Sequence, residues 1–213
     1  MKKISGILML LLFLTACSNG EDKKLAVLPK PGAKEQVATF AGGCFWSIQE
    51  GFSELKGVIK ATSGYAGGTT KNPTYEQVGT EQTGHAESVQ VVYDPSVISF
   101  SQLLDAFFVM HDPTQLNRQG PDVGTSYRSI AFYNNAEEKK LIEAAIAKYN
   151  RIQFHPGEIV TEVKPFEVFY PAEKYHQNYV RLNPNQAYVA NVCGPKVEKL
   201  RKALPNLIKD EFK

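Results

Sequence analysis

Cysteine is scarce in this 213-residue chain: there are three, at positions 17, 44 and 193, and no two form a Cys-x-x-Cys pair. That excludes a disulfide-stapled mini-domain and a cysteine zinc knuckle, so each thiol needs its own explanation. Neither sign of charge is in surplus. Lys2 and Lys3 are the only charged residues among the first 16, and without them the 24 basic and 22 acidic side chains balance. A balanced chain lacks the basic footprint of a nucleic-acid binder and gives no steering toward anionic membranes or acidic substrates. The uncharged apolar stretch at residues 4–14 is much shorter than the roughly 20 residues that a spanning helix needs. Internal repeats and low-complexity tracts are missing as well. What is present, 43% hydrophobic and 22% charged residues with one Trp, ten Tyr and twelve Phe, fits one soluble globular domain rather than a disordered chain.

The N-terminus runs Met1-Lys2-Lys3, then the apolar stretch, then Leu14-Thr15-Ala16-Cys17, with the three regions of an export signal in order. This resembles a bacterial lipoprotein signal. The resemblance implies cleavage of residues 1–16, lipid attachment at Cys17, and an extracytoplasmic protein anchored to a bacterial membrane. An ordinary cleaved signal with a cysteine nearby is the alternative, and it too takes the protein out of the cytoplasm. Residues 17–35 are polar, carry Pro29, Pro31 and Gly32, and read as a flexible tether. Residues 36–213 are then a single folded domain, expected to be a monomer.

Val37 to Phe40 reads as a strand that turns at Gly42-Gly43 into a helix with Phe45, Ile48, Phe52 and Leu55 on one face. A second strand is expected near 58–65, a loop at 66–73, and an alternating strand with Glu87, Val89, Val91 and Tyr93 on one side. Ser99 can cap a helix through Phe108, and residues 111–126 read as a long irregular segment. A strand near 128–133 and a helix at 137–149 capped by Asn135 follow. Strand, helix, strand, then again strand, helix, strand is the α+β ferredoxin-like split βαβ arrangement. A strand near 158–163, a helix near 172–181, a Gly194-Pro195 turn and a short basic helix at 196–202 complete a long irregular tail.

Cys44 stands at the first turn of a predicted helix, where free N–H groups and the macrodipole favour an anion and lower a thiol pKa. Trp46 falls on the polar side of that helix with Gln49, Glu50 and Ser53, a position that invites a ligand, although a covering loop would also explain it. Glu87 shares its strand face with apolar residues. Desolvation there would keep it protonated, as a general acid must be; a solvated strand end is the competing reading. His85-Ala86-Glu87 matches half of a zinc deaminase signature, but the Pro-Cys-x-x-Cys half is absent, so no metal site is expected.

Gly43-Cys44-Phe45-Trp46, Pro73 to Val78, Gly84-His85-Ala86-Glu87, Gly124 to Ser129 and Tyr175-His176-Gln177 together resemble the A-type peptide-methionine sulfoxide reductases over residues 36–185. The resemblance implies reduction of the S epimer of methionine sulfoxide, free or in oxidised proteins, as repair. It implies Cys44 as nucleophile, Phe45 and Trp46 as the pocket for the substrate methyl, and Glu87 as proton donor to the sulfoxide oxygen. It also implies Tyr75 and Tyr127 as hydrogen-bonding partners of Glu87, with Asp122 in support. A Cys44 sulfenic acid would then be trapped by Cys193, the one remaining candidate thiol, although this tail departs from commoner family layouts. Turnover would need an external thioredoxin-like dithiol and no organic cofactor or metal. Two other readings compete: a monothiol glutaredoxin-like protein using Cys44-Phe45-Trp46-Ser47, and a non-catalytic lipoprotein binding module.

Overall fold

A computed structural model describes residues 24–213; the export signal expected at 1–16 and the lipid site expected at Cys17 lie outside them. Strand β1 (Gln36–Gly42) turns at Gly43, whose φ of +85° and close approach to Gln119 leave no room for a Cβ, into α1 (Phe45–Ser53). The chain continues through β2 (Val58–Ala66), a short α2 (Tyr75–Val78), β3 (Ala86–Tyr93) and α3 (Phe100–Met110). A reciprocal capping box of Ser99 and Gln102 starts α3. The two-residue strands β4 (Arg118–Gln119) and β5 (Asp122–Val123) form a small hairpin inside the segment expected to be irregular. A 3₁₀ turn at Thr125–Tyr127 leads into β6 (Ser129–Tyr133), and α4 (Ala136–Arg151) begins where the Asn135 side chain accepts from the N–H of Glu138. Beyond it come β7 (Glu162–Pro165), β8 (Phe169–Pro171), α5 (Tyr179–Leu182), a π-turn at Val189–Cys193, and α6 (Gly194–Ala203).

Six strands make one mixed sheet in the order β7-β6-β1-β3-β2-β8, antiparallel throughout except where β7 runs parallel to β6. The architecture is α+β. Alternation along β3 sends Val89, Val91 and Tyr93 into the main core with Phe40, Ile48, Phe52, Phe107 and Phe108. A smaller cluster around Ala41, Ala66, Ile130 and Phe132 takes its cover from Leu28 and Phe166.

The C-terminal region is not the irregular tail that was expected. The helix expected at 172–181 is interrupted: a 3₁₀ turn at Lys174–His176 is followed by Asn178 in the left-handed region (φ +55°), and only then by α5. Its cause is a side chain elsewhere, because Gln49 Oε1 accepts the Asn178 N–H at 2.8 Å in place of a helical carbonyl. Gly194-Pro195 does not form a turn but opens α6, where a proline's missing N–H costs nothing. The expected strand at 158–163 starts only at Glu162. The N–H groups of Ile159 and Val160 are already bound to Asn150 Oδ1 and the Pro113 carbonyl, at 3.0 and 2.8 Å.

The expected spacer also departs from a free chain in its described part. Ala26 N–H donates to the Ala172 carbonyl at 3.0 Å, Lys174 N–H donates to that of Lys24 at 2.8 Å, and Leu25 bridges Glu173.

Candidate active site

Glu87 sits one residue into β3, directly across from Tyr65 of β2, on the core-facing side. It is buried, and its Oε2 accepts the Phe45 N–H at 2.9 Å, which ties the carboxyl to the first turn of α1. Burial pushes this carboxyl well above the ordinary range; the neighbouring Cys44 adds to the rise, the Phe45 N–H opposes it, and Asp122 and Glu81 add further. The group is a neutral acid.

Cys44 is the N-cap residue of α1 and is buried beside it. A poised Cys44 thiolate, expected from the helix start, is not the resting state. Burial pushes this thiol up, and the hydrogen bond and charge of Cys193 push it further; the Trp46 N–H and Tyr188 hydroxyl pull the other way. The first N–H of the helix is meanwhile spent on Glu87. Cys193 behaves oppositely. Its hydrogen bond from Cys44 draws its thiol down against burial, with Lys196 helping. Of the two thiols, Cys193 is therefore the one drawn down and Cys44 the one held up. Cys193 ends the π-turn, is buried, and already touches Cys44 while both cysteines remain free thiols.

Cys44 and Glu87 open onto one cavity of about 280 Å³, together with Trp46, Tyr75, Asp122, Tyr127, Gln186 and Tyr188. Trp46 is fixed on three sides: it stacks on Tyr179 at 3.8 Å between ring centroids, meets Tyr188 edge-on, and donates Nε1–H to His176 Nδ1 at 3.1 Å. Phe45 is not on the cavity wall; it is buried in the main core, 5.9 Å from Tyr65 and 5.0 Å from His176 between ring centroids. The Tyr75 hydroxyl is pushed up to about 12, by burial first and then by Glu87. That of Tyr127 rises for the same two reasons, so both remain donors at neutral pH. Asp122 accepts from Tyr188 at 2.5 Å.

Sequence reasoning missed four of these supports. Glu173, buried, accepts from the Tyr75 N–H and the Tyr65 hydroxyl, both at 3.1 Å. His176 is buried against Phe45, Trp46 and Tyr75, and burial lowers its pKa to about 4, leaving a neutral acceptor for the indole. Tyr188 and Gln186 come from the tail, where no period marked them. Only Tyr175-His176-Gln177 carried a signal, as a motif without an assigned role. Ser47, the last position of a Cys-x-x-Ser reading, is buried and donates to the Cys44 carbonyl at 3.0 Å, so it does not serve the thiol. His85 is occupied with loop backbone, its ring nitrogens meeting the Gly68 N–H and the Thr70 carbonyl.

Comparison with known proteins places the same residues in a wider set. The family described as peptide methionine sulfoxide reductase matches residues 36–207. A peptide methionine sulfoxide reductase MsrA from Nautilia profundicola is 54% identical over 165 residues, covering 78% of this chain and 94% of its own. Among solved structures, the reduced form of Mxr1 from Saccharomyces cerevisiae superposes with a TM-score of 0.69 at 34% identity, over 73% of this chain and 90% of that one. Mxr1 in complex with Trx2 superposes with a TM-score of 0.51 at 25% identity, over 71% and 89%.

Proposed function

Since the chain belongs to the peptide methionine sulfoxide reductase family and so carries out thiol-dependent reduction of methionine sulfoxide, we propose that Cys44 performs the attack, Glu87 protonates the departing oxygen, and Cys193 closes the cycle. One observation carries this reading: a neutral, buried carboxylic acid and a thiol share a single small cavity, joined through the Phe45 N–H. A sulfoxide oxygen leaves readily only when protonated, and the Glu87 carboxyl with the Tyr75 and Tyr127 hydroxyls supplies donors converging on it. Trp46 presents an apolar wall to the substrate methyl, and Asp122 supports the site by accepting from Tyr188. Phe45 contributes from behind that wall.

Substrate entry displaces Cys193 from Cys44. The two influences that hold the Cys44 proton in place besides burial leave with it, while the Trp46 N–H and Tyr188 hydroxyl, both favouring the anion, stay. The Cys44 sulfur forms a bond to the sulfoxide sulfur, the protonated oxygen passes to Cys44, and methionine departs. The substrate sulfur gains two electrons, and Cys44 loses two in becoming a sulfenic acid. Attack by Cys193 on that sulfur releases water and leaves a Cys44–Cys193 disulfide. A thioredoxin-like dithiol then returns both thiols, in keeping with the Trx2 complex of the yeast neighbour; no metal or organic cofactor enters.

The order β6-β1-β3-β2 with α1 and α3 as crossovers supports a ferredoxin-like core. The signal at 1–16 and Cys17 support a lipid-anchored enzyme acting outside the cytoplasm on free or protein-bound sulfoxide. Assay of the purified protein with separated S and R epimers tests the chemistry: turnover of the S epimer alone, abolished in Cys44→Ser, is expected. Equal turnover of the R epimer would overturn the assignment.

A further inference from the structure

The two tyrosines of the cavity come from segments far apart in sequence, and one carboxylate joins those segments. Glu81 follows α2, the helix that Tyr75 opens, and its N–H donates to the Val78 carbonyl at 3.0 Å. Its side chain crosses to the turn that carries Tyr127. Oε2 accepts the Thr125 hydroxyl at 2.6 Å and the Ser126 N–H at 2.8 Å, and Oε1 accepts the Ser126 hydroxyl at 2.6 Å. Burial pushes this carboxyl up, but the Ser126 and Thr125 hydrogen bonds together outweigh it and hold it below the ordinary range. It is therefore a charged acceptor at neutral pH.

Two backbone features exist to allow the contact. Glu81 has a φ of +64°, a left-handed conformation that non-glycine residues adopt only when neighbours hold them there. Opposite it, a Cβ at Gly124 would overlap Glu81 Oε1. On the far side of Tyr127, Arg128 donates from Nη2 to the Gly84 carbonyl at 2.9 Å and from Nη1 to that of Thr125 at 2.8 Å. Tyr127 is thus gripped on both flanks by the loop that delivers Glu87.

We infer that Glu81 is a positioning residue, which sets the placement of the Tyr127 hydroxyl relative to Tyr75 and Glu87. It touches no substrate, and the inference rests on the reading of Tyr127 as an oxygen-binding donor. Glu81→Gly removes the carboxylate while suiting the left-handed backbone, so the variant folds without the strain of the native residue. Misplacement of a donor by a fraction of an ångström reduces the chemical step, and a single-turnover rate lower by about 10-fold is expected, with the KM for methionine sulfoxide nearly unchanged. In a Tyr127→Phe background the same substitution should change the rate by less than about 2-fold, because the hydroxyl it places is gone. An equal loss in both backgrounds, or none in either, would overturn the inference. Tyr127→Phe alone separates the two layers: a normal rate there removes the Tyr127 role and Glu81 with it, whereas a slow Tyr127→Phe beside an unimpaired Glu81→Gly removes only the positioning.

Discussion

Glu87 is buried and neutral, so above the ordinary glutamate range folding must take up a proton that the unfolded chain has released. Its folded pKa is the raised one. The associated stability is therefore fully present below the unfolded pKa and is lost as pH climbs toward the folded value, at about 1.4 kcal/mol per pH unit. Glu87→Gln keeps an oxygen for the Phe45 N–H and has nothing to titrate. Urea unfolding should show the variant more stable than wild type at pH 8, with the gap closing toward pH 4. Its single-turnover rate should fall by about 10²–10⁴-fold. A variant both less stable at pH 8 and near-normal in rate would contradict a neutral acid. The two sulfurs make a second prediction. Because Cys193 holds the Cys44 thiol up, Cys193→Ala should make Cys44 react faster with iodoacetamide at pH 7, as followed by mass spectrometry. Cys193→Ser should yield about one methionine per enzyme and then stall until a small thiol is added; sustained turnover with a thioredoxin-type donor would remove Cys193 from the cycle.

The side of α1 that a helical wheel marks as polar is in fact an interior. Gln49 and Glu50 are buried, and Glu54 just past the helix end is inaccessible to solvent. Gln49 meets Gln177 and Asn178, Glu50 pairs with Arg181 at 3.0 Å, and Glu54 is held bidentately by Arg201 at 2.6 and 2.8 Å. Polar pattern therefore reported hydrogen-bonding capacity here, not exposure, which is why Trp46 looked stranded on a wet face. Leaving a buried carboxylate unpaired costs about 3–5 kcal/mol, so Arg201→Leu should lower unfolding stability by that order in urea denaturation, and Glu54→Gln added to it should restore part of the loss. An unchanged midpoint would mean that Glu54 finds another partner. Strands β1 to β3 and helices α1, α3 and α4 were legible because periods of 2 and 3.6 and the caps Ser99 and Asn135 are local signals. Asn178 and the π-turn before α6 were not, since their backbone is set by Gln49 and by packing more than a hundred residues away in sequence.

At the scale of the whole molecule, short motifs in the sequence singled out Cys44, Glu87, Tyr75 and Tyr127, and these four side chains line one cavity. The sequence misjudged the tail, where Tyr188 stands at the start and Cys193 at the end of the π-turn that leads into α6, rather than in irregular chain. That tail is pinned to the chain just past α1 by main-chain bonds from Lys56 to Leu207 and from Lys209 to Glu54, at 2.8 and 2.9 Å. The proposed lipid on Cys17 predicts that Cys17→Ser shifts the protein from the membrane pellet to the supernatant on fractionation, with kcat for free methionine sulfoxide unchanged; retention in the pellet would contradict lipid attachment there. The strip at Lys24–Ala26 adds a mechanical corollary. It is laced to Ala172 and Lys174 on either side of Glu173, the carboxylate that also holds Tyr75 and Tyr65. A pull on the chain ahead of Lys24 is therefore borne first by the main-chain bonds that flank Glu173.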